Sequence, residues 1–130
     1  LTVKEMFSGS IETYREKLDI VCSSQVYRGC AISFSKHSSA DVRLAAAQAA
    51  DEMLTLKGIS ASFVIFNDND KINISARSYG RVNVQIIMEK LGGGGHQTMA
   101  ATQLEKNAKD KVYHLLVSAI DSVLDDADNS

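Results

Sequence analysis

Gly92-Gly93-Gly94-Gly95-His96 stand out first as residues that could do chemistry. Four consecutive glycines cost backbone entropy, up to about 1 kcal/mol each relative to alanine in ordered structure. A folded domain keeps such a run where the backbone must adopt φ > 0 or come close to a ligand. Successive N–H groups in a glycine-rich turn form a concave anion site, and a helix N-terminus beside it adds positive potential. His96 at the end of the run can donate to a phosphate oxygen. On this reading Gly94→Ala or Gly95→Ala weakens anion binding and spares stability. The plain alternative is a hinge between two helices, with His96 solvated. A hinge usually mixes serine with its glycine. It rarely lies between a well-striped helix and an Ala-Ala step.

Ser75-Ala76-Arg77-Ser78 is the second such feature. Strand period puts Ser75 and Arg77 on one face. Arginine presents a planar fork that suits a phosphate, and the two hydroxyls add neutral donors. Asn83, capping the next helix, exposes further N–H groups in the same area. Taken alone this is an ordinary strand end; with the glycine run behind it, it reads as part of a phosphate site. Other clusters are plainer. Asp68-x-Asp70 lacks the glycine and ligand pattern of a calcium loop and reads as a hairpin turn. Cys22 and Cys30, with His37, His96 and His114 scattered, show no zinc spacing, so both thiols are expected to be buried and reduced. Asp51-Glu52 reads as a solvated helix face.

These residues need elements to position them. Ser10 caps a helix striped by Ile11, Tyr14, Leu18 and Val21. Residues 26–35 alternate as one strand. Ser38 and Asp41 open a helix striped by Val42, Ala46, Ala49, Met53 and Leu56, which Gly58 ends. Residues 60–66 form a strand buried on both faces, so strand, helix and strand make a right-handed βαβ unit. After a turn at 67–70, residues 71–77 return antiparallel. Val84, Ile87, Met88 and Leu91 stripe a short helix, and Ala100, Ala101 and Leu104 lie on a short helical or extended piece. A last helix starts near Asn107 with the stripe Val112, Leu116, Ala119 and Val123. The fold class is therefore α/β: one domain with a central mixed sheet flanked by helices.

Composition narrows the class. The chain has 130 residues, 45% apolar and 23% charged, enough for an ordinary core without metal or disulfide staples. Its 14 basic and 16 acidic residues leave a net charge of -2, so long nucleic acid is not an expected partner. No apolar run approaches the roughly 18 residues of a membrane helix. The opening at Leu1, without an initiator Met, reads as the continuation of something larger.

Ser75-Ala76-Arg77-Ser78, Asn83-Val84-Gln85, Gly92 to His96 and Ala100-Ala101 together resemble the DHH-associated C-terminal domain of the DHH phosphoesterase superfamily. Within it, the string from Ile74 to Leu104 is most similar to the GdpP-type cyclic-di-AMP phosphodiesterases. Met99 and Thr102 depart from the wider family, where the alanines begin one position earlier and a glycine follows them. The resemblance implies that residues 1–24 connect to an upstream DHH catalytic domain and that 25–126 hold substrate, with 127–130 a frayed acidic tail. It implies two Mn²⁺ ions in the upstream domain, none bound by this chain, and no catalytic residue here. Gly92, Gly93, Gly94, Gly95, His96 and Arg77 are the expected phosphate-binding residues, supported by Ser75, Ser78 and Asn83. The expected ligand is a cyclic or linear dinucleotide, the reaction hydrolysis of cyclic-di-AMP to pApA. The setting implied is the cytoplasmic side of a membrane-anchored bacterial protein, with a homodimer possible. The other reading is a nucleic-acid module of a RecJ-like exonuclease or an oligoribonuclease.

Overall fold

The computed structural model describes residues 10–128; residues 1–9, expected as the end of an incoming helix, lie outside the described residues. The chain order is α1 (Ile11–Cys22), β1 (Gln25–Tyr27), β2 (Cys30–Phe34), α2 (Val42–Met53), β3 (Ala61–Asp68) and β4 (Lys71–Ser78). Then come α3 (Val84–Glu89), β5 (Gly94–Gly95), β6 (Met99–Glu105), a 3-10 turn at Lys106–Ala108 and α4 (Val112–Asp128). The six strands make one mixed sheet in the order β1-β2-β3-β4-β6-β5. β2 and β3 are parallel across the α2 crossover, as expected for the βαβ unit, and β3 and β4 are antiparallel.

Strand period sorts the core into two layers. Ile32, Phe63, Ile74, Ala76 and Ala100 pack with Ile87, Met88 and Leu116 on one face of the sheet. Ala31, Val64 and Phe66 pack with Ile20 of α1 and the Val42, Ala46, Ala49 and Met53 stripe of α2 on the other. Ala45, Ala46, Ala49 and Ala50 are wholly buried, and their small side chains let α2 settle close to the sheet. Two buried serines tie this layer down. Ser62 donates to Ala50 O at 2.6 Å, and Ser33 donates to Ile20 O. Both acceptors lie in the last turn of a helix. Residues 11–22, expected only as a connector, are thus packed as part of the domain's outer layer.

Three readings need correction. The single strand over 26–35 is a hairpin, β1 and β2, broken by Arg28 (φ 50°) and Gly29 (φ 78°). Positive φ at both central residues marks the tight turn that suits strand twist, and it is usually announced by Asn-Gly or Asp-Gly. Arginine hides that signal. Leu56 lies beyond the end of α2 and is exposed, and Ser38 is not its cap; Asp41 is the N-cap residue. The last helix begins at Val112, later than Asn107, after the 3-10 turn, and it runs on through Asp128 into the stretch expected to fray.

Arg28 is held in its unusual conformation by α4. Its guanidinium reaches Asp121 and Asp125 at 2.9 Å each and Asp128 at 3.4 Å, while the Tyr27 hydroxyl donates to Asp121 at 2.7 Å. The Tyr27 phenol, then Arg28, holds the Asp121 carboxyl below its ordinary range. The same bond to Asp121 holds the Tyr27 phenol above its own. A lowered carboxyl gives stability that is present above its unfolded pKa, near 4, and is lost as pH falls through the folded value. A raised phenol gives stability that is present below its unfolded pKa, near 10, and is lost as pH rises through the folded value. Tyr27→Phe should therefore flatten both the acid and the alkaline limbs of the thermal midpoint plotted against pH. Limbs identical to wild type would show that this bond contributes nothing to stability.

Candidate phosphate-binding face

β6 brings the two features singled out in the sequence onto one surface. Its register places Ala101 between Ser75 of β4 and Gly94 of β5, and Met99 opposite Arg77. This row lies on the face of the sheet that carries α2. Beyond β4 that face is open, for Met99, Ala101 and Gln103 are all exposed. A cleft of about 460 Å³ runs along it, lined by Arg43, Phe66, Ser75, Gly93, Ala101 and Gln103 among others.

The four glycines do different jobs, and this alters the expected anion cradle. Gly92 (φ 87°) donates to Glu89 O at 3.1 Å and Gly93 to Met88 O at 2.8 Å. That pair closes the C-terminus of α3 as a Schellman motif. The run therefore follows a helix C-terminus rather than an N-terminus, and two of its N–H groups are already used. Met99 and His96 exchange both backbone bonds, at 2.6 and 3.3 Å. Alternation along the ladder then turns the Gly94 N–H toward β6 and the Gly95 N–H toward the open edge of the sheet. One outward N–H, at Gly95, replaces the expected series.

Sterics explain why glycine occupies these positions. A Cβ on Gly93 would overlap the Ala101 carbonyl and Thr102, and one on Gly95 would lie 2.5 Å from Ala100 Cα. Gly95 also sits at φ 145°, which side chains disfavour. Gly94 meets nothing within 4 Å and does not need positive φ. Its Cβ direction is free space over the open face.

Arg77 is largely covered, its side chain only 12% exposed. Its Nε lies 3.2 Å from Asp51 Oδ1, off the direction of a good hydrogen bond, and its Nη1 donates to Ala76 O at 3.0 Å. Asp51, read in the sequence as merely solvated, is thus the carboxylate that orients Arg77. The signal for it was absent because an exposed helical aspartate looks the same whatever faces it. Ser78 is buried on the opposite face from Ser75, and its hydroxyl donates to Val82 O at 2.7 Å. Asn83 Oδ1 accepts from Ile86 N as the cap of α3. These two residues therefore hold the loop that carries the site, without facing it. Gln97 and Thr98, not singled out in the sequence, lock that loop to the His96–Met99 turn: Gln97 Nε2 donates to Gly80 O, Ser78 N to Thr98 O and Val84 N to Gln97 O. His96 itself is exposed at the head of this turn.

Among the described residues no group of three or more His, Cys, Asp or Glu side chains is placed to hold a metal ion. Both cysteines are free; Cys30 is buried, and burial pushes its thiol up to about 11, whereas Cys22, expected to be buried, is exposed. No helix of the described residues is long and apolar enough to cross a membrane.

Residues 32–126 match the DHHA1 domain. The chain is 44% identical over 124 residues to the cyclic-di-AMP phosphodiesterase PdeA of Listeria monocytogenes, covering 94% of the chain and 19% of that protein. It is 42% identical over 104 residues to the cyclic-di-AMP phosphodiesterase GdpP of Geobacillus thermodenitrificans, covering 78% of the chain and 16% of that protein. The chain thus spans less than a fifth of the length of these relatives. Among solved structures, the pGpG-specific phosphodiesterase PggH of Vibrio superposes with a TM-score of 0.61 at 18% identity, over 87% of this chain and 42% of that one. At that identity the likeness is one of fold.

The glycine geometry separates two substitutions that looked equivalent. Gly95→Ala should lower stability by roughly 1–3 kcal/mol, because it adds both a left-handed side chain and a clash with backbone. Gly94→Ala should leave the thermal midpoint within about a degree of wild type. Its methyl projects over the open face and should weaken phosphate binding there. Thermal melts of the two variants check the assignment; equal midpoints would mean that β5 does not lie on β6 as described.

Proposed function

The chain belongs to the DHHA1 domain family, and on that footing we propose that it holds the phosphate of a dinucleotide for a DHH-type phosphodiesterase. In this reading the whole enzyme opens cyclic-di-AMP to pApA. An upstream DHH domain carries two Mn²⁺ ions, which supply an activated water when bound. That enzyme is anchored to the membrane upstream, with this domain on the cytoplasmic side. The substrate class is that named for the relatives PdeA and GdpP, and the balanced charge of the chain argues against long nucleic acid.

The observation that carries the reading is the convergence of Arg77, Ser75, Gly94 and the His96 turn around one open strip of β6. Arg77 offers a directed guanidinium, prepositioned by Asp51, to a phosphate oxygen. Ser75 adds a hydroxyl donor and His96 a ring N–H from the exposed turn. Gly94 leaves room for the anion. The work of this part of the chain is binding and orientation, which turns an encounter into a fixed geometry for attack.

Two measurements test this. Calorimetric titration of pApA should show weaker binding for Gly94→Ala and for Arg77→Lys than for wild type. The Arg77→Lys loss should be about 1.5–3 kcal/mol, since lysine keeps the charge but not the fork. Affinities equal to wild type for both variants would remove the phosphate site. Secondly, the 130-residue chain should not hydrolyse cyclic-di-AMP with or without Mn²⁺. Steady turnover above an Arg77→Lys control would place catalysis in this part of the chain and overturn the division of labour.

A further inference from the structure

We propose that Tyr79 is the nucleobase platform of this site, the surface on which the base next to the bound phosphate stacks. This rests on the phosphate-binding reading above and assigns the part of the ligand that Arg77 does not touch.

Tyr79 is 67% exposed, yet both of its ends are fixed. Its hydroxyl donates to Leu54 O at 2.9 Å, just past the end of α2. Its backbone sits between two anchored neighbours. Ser78 N donates to Thr98 O, Gly80 N to Ser78 Oγ at 3.1 Å, and Gly80 O accepts from Gln97 Nε2 at 2.7 Å. An exposed phenol finds an equivalent hydrogen bond in water, so the bond to Leu54 does not account for an exposed ring. What it produces is an aromatic face whose orientation is set before a ligand arrives.

The place of that face matters. Arg77 leans on Asp51 and Tyr79 on Leu54, one helical turn further along the same helix end. Both side chains therefore lie on the α2 side of the sheet. Tyr79 follows the end of β4, two residues from Arg77, so their Cα atoms are at most about 7 Å apart, a separation that a nucleotide can bridge between its phosphate and its base. Met99, paired with Arg77 across the ladder and 51% exposed, adds a polarizable apolar side chain to the same face. An arginine with a fixed aromatic ring two residues along the chain and a thioether across the ladder suits a nucleotide better than a bare anion, and base stacking on such a ring tolerates any base.

The test uses the full 130-residue chain, with pApA and inorganic phosphate as the two probes. Tyr79→Leu should weaken pApA binding by about tenfold, the scale of one lost base stack, and leave phosphate binding unchanged. Tyr79→Phe, which keeps the ring and loses only its anchor, should lie within about threefold of wild type. In wild type, the Tyr79 ring protons should shift upfield in NMR spectra with pApA and not with phosphate, a readout that needs no variant. Wild-type pApA affinity in Tyr79→Leu, or a Tyr79 ring unmoved by pApA, overturns the platform; so does an equal loss for both probes, which would mean that the ring acts through Arg77. If pApA fails to bind wild type, or Arg77→Lys and Gly94→Ala leave both probes unaffected, the phosphate reading itself has failed.

Discussion

The backbone of Gly93 and of Gly95 lies on β6 at a distance that no Cβ tolerates, and the candidate site depends on that contact. It adds a two-residue strand to the edge of the sheet and so sets where the His96–Met99 turn falls. The turn in turn receives the end of β4 through Ser78 and the start of α3 through Val84. Three separate segments are thereby held to one another by main-chain bonds. Main-chain geometry is stiffer than side-chain geometry, so this face is held in one shape.

Charge on this surface is arranged in pairs. Arg77 faces Asp51, and Arg43 is bound to Asp68 and to Asn73 while stacking over the Phe66 ring. A mostly covered guanidinium without a carboxylate nearby would be costly to bury. Asp51 relieves that cost from an exposed position, so its own desolvation is small. The result is an arginine whose direction is settled during folding, which reduces the ordering left to binding.

Much of this was legible in the residues, and the failures have definite causes. The βαβ unit, the β3–β4 turn and the α3 stripe follow from periods of 2 and 3.6, which single residues cannot disguise. The hairpin at Arg28-Gly29 was missed because its first turn residue is held left-handed by three aspartates about a hundred positions away, a cause that no local window contains. The glycine run was correctly singled out as unusual, but composition cannot distinguish a helix cap from a close strand contact or an open anion site; here Gly92 and Gly93 cap α3, and Gly93 and Gly95 press on β6. Ser75 and Ser78 look alike in sequence; strand parity sends them to opposite faces, and only the packed structure shows what Ser78 bonds there. Asp51 and Gln97 act through partners supplied by other elements and so carry no signature of their own.

The aspartates of α4 also bear on the order in which the domain assembles. Arg28 is separated from Asp121, Asp125 and Asp128 by 93, 97 and 100 residues. A ribosome makes the arginine long before its partners, so during synthesis the β1–β2 hairpin has to wait with a left-handed arginine that nothing yet holds, a conformation disfavoured by about 1–2 kcal/mol. The parallel β2–β3 pair can form earlier, once α2 is made, because its register spans only the crossover. The centre of the sheet is thus fixed by contacts nearer in sequence than those that secure its β1 edge. The edge strand β1, the first of the six to be synthesised, is the one whose final conformation is secured by the last helix.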